Sequence, residues 1–157
     1  MSRISKHALL WLTLASALGI AVELVLERHW TKPSQLIPWV ALAFVVASAV
    51  ALLGTPNSAT GRVIRAGLVL VVMAGLVGVV LHTHGNYEAG PLDAVYGERW
   101  DSMSVTARWW AAFRQQVGPA PAIVPLVLAQ LAAMVAIATL DTRDSEGQMG
   151  RSGADVA

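Results

Sequence analysis

Residues Leu36 to Leu53 read LIPWVALAFVVASAVALL, with one proline near the start, Ser48 inside the run and no charge anywhere. A hydrocarbon core about 30 Å thick takes about 20 residues at about 1.5 Å of rise each. This stretch has that length and that composition. Lipid offers the backbone no hydrogen-bond partner, so only helices and closed barrels cross it, and a run this long with no alternation is not a barrel strand. The segment sets the class as helical and membrane-embedded.

Working outward, Ala8 to Leu26 is broken only by Thr13, Ser16 and Glu23, Val63 to Leu81 carries Arg65 near its start, and Ala120 to Leu140 carries Gln130. Spans are therefore expected at about 8–26, 36–53, 63–81 and 120–140. The fold class is all-α membrane: four transmembrane helices in an antiparallel bundle, one domain over 1–140. The third connection, His82 to Pro119, is long enough to have structure or a job. Asp101 or Ser102 caps its second half, and Met103, Thr106, Trp110, Phe113 and Val117 recur at helical spacing, predicting an interfacial amphipathic helix over about 102–117 before the fourth span. The segment 141–157 is polar, rich in Gly and Ser and without periodicity, and reads as a disordered cytoplasmic tail.

Composition agrees with the spans. In 157 residues, 55% are apolar and 13% charged, too greasy for a soluble domain of this size. A net charge of +1 leaves no basic face to follow a phosphate backbone, which sets nucleic acid aside as a partner. No cysteine is present, so disulfides, thiolate metal sites and thiol chemistry are excluded. Arg3 and Lys6 followed by an apolar run and Ala15-Ser16-Ala17 imitate a cleavable signal. The apolar run continues to Leu26, so we read it as a retained first helix.

Orientation follows from Arg and Lys near the span ends, which favour the cytoplasm. Arg3 and Lys6, Arg62 and Arg65, and Arg143 would lie inside, against Arg28, Lys32, Arg99, Arg108 and Arg114 on the other side, so the expectation is a multi-pass bacterial plasma-membrane protein with N-in and C-in topology and the inverted orientation as the alternative. Trp30, Trp39, Trp100, Trp109 and Trp110 then gather at the outer headgroup level.

Candidate chemistry gathers at the same end. Ser16, Gly19, Glu23 and Glu27 share a face of the first helix, expected to point into the bundle. A charge inside a span costs about 2.5–3.5 kcal/mol on insertion scales, so Glu23 is either functional or paired with Arg28 or Lys32. On the third helix Gly67, Val71, Gly75, Gly78 and His82 form a seam whose glycines allow close packing. That helix is expected to end near Gly85, releasing His82, His84 and Glu88 beside Glu23, Glu27 and His29. Carboxylates with imidazoles suit a divalent transition metal such as zinc, iron, manganese or copper. The competing reading is a hydrogen-bonded plug that fixes the helix ends. His82 and His84 would share one ion only if the helix had ended before them. Haem held by His29 and His82 fits less well, since both sit at helix ends. Gln130 is read as a structural amide that ties helices together in mid-membrane. No P-loop, Rossmann fingerprint, catalytic triad or zinc-protease motif is present, so an enzyme is not indicated.

Glu23-Leu24, His29, Gln35 and Ile37-Pro38, then His82 with Gly85-Asn86 and Glu88, then a proline-rich approach to Gln130, resemble a group of small bacterial four-helix membrane proteins. These share an acidic-His-Gln-Pro segment after helix one and a His-x-x-Gly-Asn-x-Glu segment after helix three. The resemblance covers the chain apart from the tail and implies topology and candidate residues, with no activity, cofactor or partner attached. Small multidrug-resistance efflux proteins share only a glutamate in helix one, placed deeper than Glu23.

The expected function is a non-enzymatic component or assembly factor of a membrane complex, with a cation-binding Glu/His cluster at its outer face. The alternatives are a small proton- or cation-coupled transporter using Glu23, and a purely structural packing subunit. Expected partners are the lipid bilayer and either other membrane subunits or further copies of the chain.

Overall fold

The computed structural model describes residues 3–54 and 56–140, so the expected tail at 141–157 lies outside the described residues. Within them the regular structure is helical: α1 (Arg3–Leu26), α2 (Ile37–Leu53), α3 (Ser58–Ala89), α4 (Val105–Phe113) and α5 (Ile123–Ala138), with short 3-10 turns at Pro33–Leu36, Gly90–Leu92 and Gly97–Ser102. Three helices, those of α1, α2 and α3, are long and apolar enough to cross a membrane. The fourth expected span is shorter. Its helix has 16 residues, about 24 Å at 1.5 Å per residue. Pro119 and Pro121 bring the chain in before the helix starts, Pro125 falls in its first turn, and the end tightens as the Thr139 amide bonds Ala136 at 3.1 Å.

The chain forms two compact units, one within Met1–Val72 and Leu128–Ala157, the other Met73–Val127. In the first, Leu10, Thr13, Ala17, Ile20 and Leu24 recur along α1 in steps of three and four and are all buried. This apolar stripe displaces the expected one: Gly19 and Glu27 are exposed, and Ser16 and Glu23 only half-buried. Thr13 needs no partner from another helix, since its hydroxyl donates to the Leu9 carbonyl one turn back at 2.9 Å. From α2 come Leu42, Val45, Ala49 and Leu52, and from the first half of α3 Ile64 and Leu68, all buried. A Cβ at Gly67 would run into the Phe44 ring, so this glycine is what lets α2 and α3 approach. Away from these seams Leu18, Val40 and Leu70 are two-thirds or more exposed, a surface suited to lipid. Arg65, read above as a cytoplasmic anchor, also caps α5: its Nε donates to the Thr139 hydroxyl at 2.8 Å and its Nη2 to the Thr139 carbonyl at 2.9 Å.

Two helices end on the same device. At α1 the His29 amide bonds Leu24 at 2.9 Å and the Arg28 amide bonds Val25 at 3.0 Å. At α4 the Gln116 amide bonds Ala111 at 2.9 Å and the Gln115 amide bonds Ala112 at 3.1 Å. This is the paired bonding of a Schellman ending. Its left-handed position usually holds glycine but here holds Arg28, with φ 49, and Gln115, with φ 55. Relieving the Cβ clash outweighs the extra chain entropy of glycine. Arg28→Gly and Gln115→Gly are each expected to stabilise the detergent-solubilised protein by about 0.5–1 kcal/mol, read as a rise in thermal midpoint.

Two sequence expectations shift in the second unit. Gly85 does not end α3, which runs on to Ala89. A mid-helix glycine costs only about 1 kcal/mol, and the next residue, Asn86, makes tertiary bonds that outweigh it. The helix stops where Gly90 is followed by Pro91, whose ring cannot continue the backbone ladder. The amphipathic helix is α4, nine residues long, capped by Ser104, whose hydroxyl accepts from the Ala107 amide at 3.2 Å. Ala111 and Ala112 are its buried residues, while Trp110 from the expected apolar face is 57% exposed. Small side chains win the inward positions because α4 lies close against what it covers.

Candidate functional site

The second unit is built on one stripe of α3. Gly78, His82, Asn86 and Gly90 follow one another at four-residue steps and so lie on one face of the helix, the last just past its end. A Cβ at Gly78 would press on Pro125 at 2.8 Å. One turn on, His82 Nδ1 stands 3.1 Å from the Pro121 carbonyl. A carbonyl only accepts, so Nδ1 carries the proton and donates.

One further turn on is Asn86, fully buried. Its Nδ2 donates to the Ala112 carbonyl at 3.0 Å and the Ala120 carbonyl at 2.7 Å, and its Oδ1 accepts from the Ala120 amide at 2.8 Å. One side chain thus fastens the end of α4 and the proline-flanked segment to α3. Gly118, with φ +72, turns the chain directly over Asn86 and leaves no room for a Cβ. At Gly90 the Trp100 indole packs flat where a side chain would stand.

Aromatic rings fill the rest. Trp100, 2% exposed, centres a small core with Ala111, Ala112 and Val117. Tyr87 stacks on Trp109 at 4.8 Å and meets Trp100 edge-on at 5.4 Å. Such pairs add about 0.5–1.5 kcal/mol beyond their burial. The Arg99 guanidinium lies 4.3 Å from the centre of the Tyr96 ring.

The expected ligands divide between the units. His82, His84 and Glu88 are in the second, and Glu23, Glu27 and His29 in the first. Because α3 continues through both, His82 and His84 project roughly 200° apart, which removes the condition under which they would share one ion. His84 is exposed and faces Glu88 one turn on, Nδ1 to Oε1 3.8 Å. Within each unit, no three His, Asp or Glu side chains among the described residues are grouped as a metal site would need.

The segment after α1 also has a structural use. Gln35 Oε1 accepts from the Thr31 amide at 2.9 Å, the Thr31 hydroxyl at 2.7 Å and the Lys32 amide at 3.0 Å. The Trp39 indole donates to the His29 carbonyl at 2.8 Å and packs on Trp30. So the residues that carry the motif fold the connection between α1 and α2.

No family model matches the sequence, and no curated protein or solved structure matches it. The geometry alone carries the reading.

The residues missed from sequence are Gly118, Tyr87 and the Arg65–Thr139 pair, together with the role of Asn86. Only Asn86 left a usable signal. It follows His82 by four residues, so the two share a helix face once α3 is extended past Gly85.

Proposed function

We propose that this chain is a non-enzymatic component of a bacterial plasma-membrane assembly, crossing the bilayer four times as an antiparallel bundle with both termini inside. Its outward end is a folded cap, residues 82–120, carried on the extension of α3. The observation that supports this is the use of the polar groups. Asn86 spends both amide protons on the main chain and His82 bonds the Pro121 carbonyl, so these two polar side chains of α3 hold the scaffold together.

Topology is tested with single cysteines in a chain that has none. In intact cells an impermeant maleimide is expected to label Val95→Cys, at a position 72% exposed, and to label Asn57→Cys only after lysis. The reverse pattern would invert the topology. Reconstituted in liposomes, the protein is expected to carry no proton or cation flux. A flux that disappears in Glu23→Gln would replace this reading with a coupled transporter.

A cation site is the second reading, favoured by one observation: His84 and Glu88 stand exposed one helical turn apart, 3.8 Å between ring nitrogen and carboxylate. Two such ligands begin a site for a divalent transition metal.

A further inference from the structure

One face of α5, continued into the turn after it, carries a seam that none of the described residues covers. Ile123, Leu126, Gln130, Ala133, Ile137 and Leu140 follow in alternating steps of three and four, the a and d pattern of a left-handed helix pair. Ile123 is 60% exposed, Leu126 43%, Ile137 55% and Leu140 52%. Gln130 is exposed as well, and Ala133 is half-buried. The sequence had suggested that Gln130 ties helices together inside the bundle; it points out of the chain instead.

Gln130 sits at the midpoint of α5, at the depth where lipid is driest, and it has no hydrogen-bond partner among the described residues. A carboxamide facing hydrocarbon is costly unless both its donor and its acceptor are met. Two other polar side chains of the spans do find partners within the chain, Thr13 at Leu9 and Thr139 at Arg65.

We propose that the α5 seam is the interface with a second copy of this chain, a parallel pair closed at its centre by a Gln130–Gln130 hydrogen bond. The proposal rests on the reading of α5 as a membrane span. The choice of occupant comes from the amide itself. It is donor and acceptor at once, so it is its own complement about a twofold axis. Copies inserted with one topology run parallel, and the twofold normal to the membrane brings Gln130 opposite Gln130 at a single depth. A polar residue at one central a position also fixes the register, which an all-apolar seam would leave free to slide.

Single cysteines report this without background. Oxidised in native membranes, Leu126→Cys, Ala133→Cys and Ile137→Cys are expected to give disulfide dimers, and Leu70→Cys, exposed on α3, none. In phosphatidylcholine bilayers, Gln130→Leu is expected to raise the dimer dissociation constant by about 3- to 30-fold, and Gln130→Asn by less. A chain that stays in the membrane as a monomer overturns the dimer and leaves the membrane reading standing. So does equal cross-linking from Leu70→Cys, or cross-linking of α5 to a different membrane protein. Recovery of the chain in the soluble fraction overturns both.

Discussion

Asn86→Leu is expected to open the cap. The substitution keeps the side chain's approximate size but strands the Ala120 carbonyl and the Ala120 amide, and it takes from the Ala112 carbonyl one of its donors, leaving the Gln115 amide. Each buried polar group left without a partner costs about 1–3 kcal/mol. The second unit should lose about 3–5 kcal/mol, near the upper end for single substitutions. Local opening is the natural consequence, because the cap has only a small aromatic core to hold it. Hydrogen exchange in detergent should show protection lost across residues 105–122 while α1 and α2 keep theirs. Asn86→Asp serves as the control on chemistry. It retains an acceptor for Ala120 but turns two donations into charge facing carbonyls, and it should open the cap nearly as far. Equal protection in all three proteins would mean that Asn86 is not the fastening.

Gly118→Ala is expected to produce the second-largest loss, for a different reason. The backbone there has φ +72, and an added methyl would lie 2.7 Å from the Asn86 Cα and against its amide. The neighbour is main chain, which cannot swing aside, so strain and displacement together cost about 2–3 kcal/mol. Because part of the collision is with the amide, the two sites should couple. In an Asn86→Ala background the same substitution should cost about 1 kcal/mol less. Thermal midpoints of the four proteins of the cycle measure this, and strict additivity would separate Gly118 from the Asn86 site.

Three of the four expected segments were legible because lipid constrains composition over whole helices: α1, α2 and α3 are each long and apolar enough to cross a bilayer. What failed were inferences about single residues, where a local preference met a tertiary bond. Gly85 signals a helix end by its own propensity, yet α3 passes through it because Asn86 is tied to Ala112 and Ala120, partners 26 and 34 residues away. On α4 the buried side chains are Ala111 and Ala112, which hydrophobicity does not single out, while Trp110 is exposed. On α1 the eye followed Glu23 and Glu27, and the apolar stripe from Leu10 to Leu24 decided which side is buried.

The site residues show the same limit. Carboxylates and imidazoles attract attention as ligands, but sequence does not reveal which of them the main chain will claim. His82 is bonded to Pro121, and Gln35 gathers the turn that follows α1. Gln130 was read as internal glue because a mid-span amide needs a partner. Among the described residues its side chain stands exposed, which is the ground for the proposed dimer contact.

The central proposal is that the polar residues of the second unit serve as scaffold rather than as a cation site. Elemental analysis of detergent-purified protein, prepared without chelator, tests it most directly when wild type is compared with His84→Ala. The expected result is a transition-metal content well below one ion per chain and equal in the two proteins. One ion per chain in wild type, lost in His84→Ala, would contradict the claim and restore the cation-binding reading.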